Sequence, residues 1–319
     1  MALVRARARL GAIGAVLGLL AACAGPGDRP PSAGPSPTAL AGLTQRDEPA
    51  LPEPRQETAA AGDAQNLWVI GGYDSSSRSS TDVLRFDGAW HHEAALPLGL
   101  DHPSAATLGG ALYVAGGFSG GPASRRVFRL SGPAASWQEV APLSHPRGAL
   151  ALVPLGTRLY AIGGNDGRGE VAPAEEYDPQ TNRWRDLPAL PHPRNHVAGF
   201  ASQGQACVAG GRSPNVELVT CWDPGANRWR EGPRLPVPTS GAGGGVAGQE
   251  PVVAGGEDPG AGTLVTQLAR LRGGAWQEGA MREPRHGLQL AAYRGRLWAC
   301  GGGDRAGLHP VATCTSIGP

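Results

Sequence analysis

Lysine is absent from this chain: all 28 basic side chains are arginine, set against 27 Asp and Glu for a net charge of +1. A balance that close to zero excludes the positive field of a bulk nucleic-acid binder. The exclusive use of Arg reads as a GC-rich genome rather than a functional device, although each Arg offers bidentate pairing wherever it lands. No apolar run is long enough to cross a bilayer comfortably, since the stretch from Leu10 to Leu20 falls well short of the roughly 20 residues a spanning helix needs. No Cys-x-x-Cys occurs among the five cysteines, so the spacing of a thiolate zinc site is missing and neither metal nor cofactor is expected.

What is present at the N-terminus has the layout of an export signal: basic Arg5, Arg7 and Arg9, the apolar run, then small residues to Ala22. Leu20-Ala21-Ala22-Cys23 resembles the bacterial lipobox, which implies cleavage before Cys23 and lipidation of its thiol. Residues 1–22 are therefore expected to be a lipoprotein signal peptide. Residues 23–41, rich in Pro, Gly, Ser and Ala, bury too little to offset the entropy of ordering and read as a tether. The expected location is exported and membrane-anchored, on the periplasmic face of an outer membrane or at the cell surface. Ala24 stands where an Asp would resemble an inner-membrane retention signal.

Residues 42–319 carry a repeat. Gly-Gly pairs close short apolar runs at Gly71-Gly72, Gly116-Gly117, Gly163-Gly164, Gly210-Gly211, Gly255-Gly256 and Gly301-Gly302, with first glycines 45, 47, 47, 45 and 46 residues apart. A tryptophan follows each of the first five at a spacing of 19 or 21: Trp90, Trp137, Trp184, Trp229 and Trp276. Turn-ending strands such as Glu176-Tyr177-Asp178-Pro179 lie between. This pattern resembles the kelch repeat over nearly everything after the tether. The resemblance implies an all-β, six-bladed β-propeller of four-stranded antiparallel blades, because one blade cannot cover its own faces and a ring of them can.

The sixth unit stops at Pro319 without a Trp or a fourth strand. The missing piece lies at the other end: Leu43 to Arg55 aligns without a gap to Asn182 to Arg194, placing Gln45 in the Trp slot. An N-terminal strand over about residues 42–49 is therefore expected to close the last blade, which removes exposed sheet edges.

Four cysteines form two pairs, Cys207 with Cys221 and Cys300 with Cys314, each 14 apart and each on the second and third strands of one blade. In an exported protein both are expected to be disulfides. Cys207 stands three residues before its Gly pair and Cys300 one before, so one pair is expected to sit diagonally rather than directly opposite.

In kelch proteins an Arg commonly opens the innermost strand at the central mouth. Sixteen residues before each first Gly stand Arg55, Leu100, Arg147, Arg194, Thr239 and Arg285, and the next two positions add Gln56, Asp101, His102, Asn195, His196, Ser240 and His286. The candidate ligand-binding set is Arg55, Asp101, His102, Arg147, Arg194, Asn195, His196, Arg285 and His286. Two readings of the arginines stand side by side. One is a guanidinium-lined site for an anionic ligand. The other is local pairing, since Glu53 and Glu283 precede Arg55 and Arg285 by two residues.

The expected function is a monomeric, lipid-anchored binding module for a protein or a glycan. The alternative is a carbohydrate-active enzyme resembling the sialic-acid epimerase and mutarotase type of kelch protein, with Asp101 or a histidine as acid or base and Arg147 and Arg194 as the carboxylate clamp. The copper site of galactose-oxidase-like kelch enzymes needs Tyr ligands, and the mouth set contains no Tyr. His91-His92 falls on an outer strand and reads as surface. Gly163 to Gly169 has the look of a phosphate cradle, but no helix follows it and it reads as a kelch loop.

Overall fold

The computed structural model describes residues 39–212 and 214–319. The expected signal peptide, Cys23 and nearly all of the tether lie outside the described residues. Six four-stranded antiparallel sheets follow one another around a ring. Blade 1 runs outward through Ala59–Gly62, Leu67–Ile70, Val83–Phe86 and Trp90–His92, and blades 2 to 5 repeat that order. Blade 6 takes Leu290–Tyr293, Arg296–Cys300 and Cys314–Gly318 from the C-terminus, and its outer strand is Thr44–Glu48. That strand pairs with Cys314–Gly318 from Thr44 opposite Gly318 to Glu48 opposite Cys314, so the N-terminal closure is as expected.

The hydrophobic core is not at the axis. It lies in six layers between neighbouring blades, such as Ile70 and Val83 of blade 1 against Val114 and Phe128 of blade 2. Second strands are accordingly buried on both faces and read as unbroken apolar runs, as in Leu67–Ile70. Outer strands are exposed or half-buried along most of their length, as in Thr44–Glu48.

Two rings of hydrogen bonds repeat around the propeller and show why the repeat carries Gly and Trp. In the first, the N–H of each second glycine donates to the slot carbonyl of the next blade, from Gly72 to Leu100 at 2.8 Å round to Gly302 to Arg55 at 2.8 Å. The preceding glycine must be bare for this approach: a Cβ on Gly116 would stand 2.2 Å from the carbonyl oxygen of Arg147, at a φ of +69°.

In the second ring, each Trp Nε1–H donates to a carbonyl of the preceding blade four residues beyond that blade's own Trp, or beyond Gln45 where Gln45 takes the Trp position. Trp137 reaches Ala94 at 2.7 Å and Trp276 reaches Pro233 at 2.8 Å. Gln45 stands in for the sixth Trp and donates from Nε2 to Ala280 O at 2.9 Å, while its Oε1 accepts from Arg282 N at 2.8 Å. Trp90 in turn donates to Pro49 O at 3.0 Å, which closes the circuit.

Both cysteine pairs are disulfides, with S–S lengths of 2.05 Å and 2.10 Å. Neither is diagonal, which corrects the expectation: Cys207 faces Cys221 and Cys300 faces Cys314 directly. The reason is loop length. The connection 301–313 is four residues longer than 210–218, which compensates the two-residue displacement on each strand.

Candidate functional site

The axis is a tunnel of about 260 Å³ walled by the innermost strands. Nearly half of its wall is Ala and Gly, among them Ala105, Ala151, Ala198 and Gly245, because six strand edges converging on one axis leave little room for side chains. Gln289 spans part of it. Its Oε1 accepts from Ala60 N at 3.0 Å and its Nε2 donates to Ser104 Oγ at 2.5 Å, satisfying edge groups that have no strand partner.

The four slot arginines do not line this tunnel or its mouth, which corrects the sequence expectation. They are 3% exposed or less. Each guanidinium turns back into its own blade, where the loop between second and third strands leaves carbonyls unpaired. Arg147 donates to Gly163 O at 3.0 Å, Pro173 O at 2.7 Å and the Glu175 carboxylate at 2.7 Å. Arg194 donates to Gly210 O at 2.7 Å and Thr220 Oγ1 at 3.2 Å. Arg285 donates to Gly301 O at 2.9 Å and Thr315 Oγ1 at 2.6 Å. Arg55 pairs with Glu53 and Asp82. The arginines are thus satisfied locally: Arg55 meets Glu53 as expected, Arg285 bonds to carbonyls and Thr315 rather than to Glu283, and Asp82 and Glu175 are partners that adjacency in sequence did not reveal. Burial lowers the pKa of Arg194 and Arg285 to about 10.

The mouth belongs instead to the positions two residues after each slot: Glu57, His102, Ala149, His196, Gly241 and Gly287. These six form a third closed ring. Each N–H donates to the carbonyl of the one before, at 2.7 to 3.0 Å, from His102 to Glu57 round to Glu57 to Gly287. Turning the chain into the ring requires the left-handed region, and all six have φ between 51° and 64°. Glycine adopts this freely, whereas the Glu and His positions carry strain of about 1–3 kcal/mol each. Their side chains line one end of the tunnel.

Other sequence candidates gather around this ring. His102 Nδ1 meets Asp101 Oδ1 at 2.7 Å, and Asp101 Oδ2 accepts from Ser79 Oγ at 2.6 Å. His102 Nε2 lies 3.3 Å from Glu57 Oε2. The His102 and His196 rings are 5.0 Å apart, edge to face. His196 Nδ1 bonds to Asn195 Oδ1, and Arg212 donates to its Nε2. Asn195 Nδ2 donates to Glu170 at 2.7 Å. His286 donates from Nε2 to Gly307 O at 2.9 Å, leaving a buried Nδ1 without a hydrogen bond, 3.5 Å from Glu257 Oε2 and 3.9 Å from Glu57 Oε1. Asp101, His102, Asn195, His196 and His286 are thus brought together.

Glu57, Arg212 and Glu257 belong with them and were missed by sequence reasoning. The offset of two residues from each slot points to Glu57. The residue after each Gly-Gly pair, which bridges the mouth segment in every blade, points to Arg212 and Glu257.

The electrostatics split the two ring histidines. Burial disfavours the charged form of His102, but the Glu57 and Asp101 carboxylates outweigh it and hold its pKa above the ordinary imidazole range. His196 is pushed well below that range by burial, then by the positive charges of His102 and Arg212. Carboxylates nevertheless dominate the mouth, with Glu57, Asp101, Glu170 and Glu257 against Arg212 and His102. It is acidic on balance.

Comparison with known proteins agrees with this construction. The family model described as Kelch motif matches residues 101–144 and 146–191. The chain is 35% identical over 144 residues to human Kelch repeat and BTB domain-containing protein 13, covering 41% of this chain and 31% of that protein. It is 32% identical over 172 residues to mouse Kelch-like protein 26, covering 50% and 28%. These matches span less than a third of the relatives' length. A solved structure titled "Structure of YjhT" superposes with a TM-score of 0.72 at 18% identity, over 83% of this chain and 95% of that one, which speaks to the fold alone. With six Gly-Gly blades, their Trp girdle and these matches together, the chain is a kelch-repeat protein, a six-bladed β-propeller whose last blade is shared between its two ends.

Proposed function

We propose that this protein is an extracytoplasmic, lipid-anchored interaction module that engages a protein partner across its mouth face. Kelch-repeat propellers commonly serve as protein-interaction modules, and this chain carries the kelch motif. The observation that carries the choice of face is the asymmetry of the loops. Long connections, 71–82, 116–126, 163–172, 210–218, 255–266 and 301–313, surround the mouth. The inner hairpins at the other end are short, such as 109–110 and 156–157. Loops held by a rigid ring are where propellers vary without cost to the core. The acidic mouth favours a basic or hydrogen-bond-donating group from the partner. An anion clamp built on Arg147 and Arg194 is not retained, and neither is the epimerase alternative that depends on it, because both side chains are committed to their own blades. The Cys23 lipobox resemblance and the two disulfides support an exported, anchored protein.

The test is proximity labelling in intact cells. Substitution of the exposed rim residues Arg78, Arg168 and Arg305 should remove a reproducible set of envelope neighbours, and substitution of Arg183 and Arg228 on outer strands should not. Equal loss from both sets would overturn the mouth-face assignment. Release of the protein from membranes by Cys23→Ala is expected, and unchanged membrane association would overturn the anchor.

A further inference from the structure

The ring at the tunnel mouth holds three side chains whose donor atoms all lie within 4.8 Å of one another: a Glu57 carboxylate oxygen and one ring nitrogen each from His102 and His196. We propose that these three residues are a binding site for one divalent transition-metal ion, with its remaining coordination positions open to the tunnel and so to a ligand or a partner's side chain. The inference does not depend on which partner the propeller engages.

The geometry carries it in four steps. First, ligands at about 2.0–2.1 Å from a tetrahedral ion stand about 3.3 Å from each other. His102 Nε2 and Glu57 Oε2 are already 3.3 Å apart. Only His196 has to close in, and its ring is already edge-on to that of His102.

Second, both imidazoles are oriented from behind as metal-bound histidines are. Asp101 holds His102 through Nδ1, and Asn195 holds His196 through Nδ1, which leaves Nε2 as the candidate ligand atom of each ring, that of His196 being occupied by Arg212 in the absence of an ion. Asp101 is itself fixed by Ser79, and Asn195 by Glu170.

Third, His286 is 1% exposed and places a buried Nδ1 without a hydrogen bond 3.5 Å from Glu257 Oε2 and 3.9 Å from Glu57 Oε1, so an unpartnered polar atom faces the carboxylate side of the site.

Fourth, Glu and His occupy left-handed positions where Gly241 and Gly287 serve the backbone ring equally well. Packing does not demand these side chains at so strained a place. Two imidazoles and a carboxylate suit zinc and its first-row neighbours rather than magnesium or calcium.

Arg212 is the competing group. Its guanidinium donates to His196 Nε2 and pairs with Glu257 at 2.8 Å. It must swing toward Glu257 when the ion enters, which its 23% exposure permits.

The experiment is calorimetric titration of the purified full-length protein with Zn2+, together with the visible spectrum of Co2+ added in its place. One ion per chain is expected, with Co2+ bands of four- or five-coordination. Glu57→Gln should weaken binding at least 10-fold, and His102→Ala/His196→Ala should abolish it. Arg212→Gln should tighten it, an outcome no purely structural role for the ring predicts, and this half-buried substitution outside the backbone ring keeps the test open where ring variants misfold. His91→Ala/His92→Ala, on a distant outer strand, should leave it unchanged. Absence of saturable Zn2+ binding by the wild-type chain, binding that survives the double histidine variant, or weaker binding by Arg212→Gln would each overturn the proposal.

Discussion

Replacing Arg147 with Met distinguishes a structural arginine from a ligand clamp. Arg147 and Glu175 are both fully buried, and their 2.7 Å contact is the pair's one salt bridge. Removing the guanidinium leaves a buried carboxylate whose remaining bonds come from the Ser144 and His145 amides at 2.5 Å and 3.2 Å. It also leaves the Gly163 and Pro173 carbonyls without that donor. Breaking a buried pair by removing one partner costs about 3–5 kcal/mol. At roughly 2 °C per kcal/mol for a domain of this size, Arg147→Met should melt about 6–10 °C below wild type. Arg147→Met/Glu175→Met removes the orphaned charge and should recover part of that loss, a coupling of about 1–3 kcal/mol in a double-mutant cycle. Arg194→Met has no carboxylate to strand and should cost less. The assay is denaturant or calorimetric unfolding of the set. If Arg147→Met unfolds like wild type, the arginine does not hold its blade together and the reasoning fails.

Three further outcomes follow from the ring. Gln45→Ala removes two hydrogen bonds across the blade 5–6 seam and should cost about 1–2 kcal/mol, whereas Gln45→Trp restores the donor used in the other five blades and should cost little. A melting comparison of the two decides it. Converting either cysteine pair to alanine should cost about 3 kcal/mol for a loop of that length, and reductant should lower the melting temperature of wild type but not of the four-alanine variant. Gly116→Ala meets a carbonyl at 2.2 Å and should destabilise by roughly 3 kcal/mol or more, while Gly120→Ala, equally left-handed but in open space, should cost only about 1–2 kcal/mol.

Much of the architecture was legible because it is written six times. Gly-Gly and Trp recur at fixed spacing, and the ungapped match of Leu43–Arg55 to Asn182–Arg194 located the closing strand and put Gln45 in the girdle. The site was legible in position but not in direction. Counting back from the glycines found the Arg slots correctly, yet a register number does not say whether a long side chain turns outward to the mouth or inward to unpaired carbonyls. Glu175 and Asp82 made that choice from 28 and 27 residues away. Glu57 stands at the same offset as His102 and His196 and lay within reach of the same count; what its own residue type does not mark is that this offset is left-handed. Its equivalents Gly241 and Gly287 were the available signal. The diagonal disulfide failed for a similar reason, since loop length and strand offset changed together.

The central claim is that the two chain ends complete one blade. The most direct test is thermal unfolding of a variant lacking residues 40–50, measured alone and with a synthetic peptide of those residues added back. Removing them bares the edge of Cys314–Gly318, a strand buried along its whole length, and takes Leu40 from the core of the seam. The deletion is predicted to aggregate or to melt far below wild type, with recovery on adding the peptide. A soluble deletion variant that melts with the full chain and ignores the peptide would contradict it.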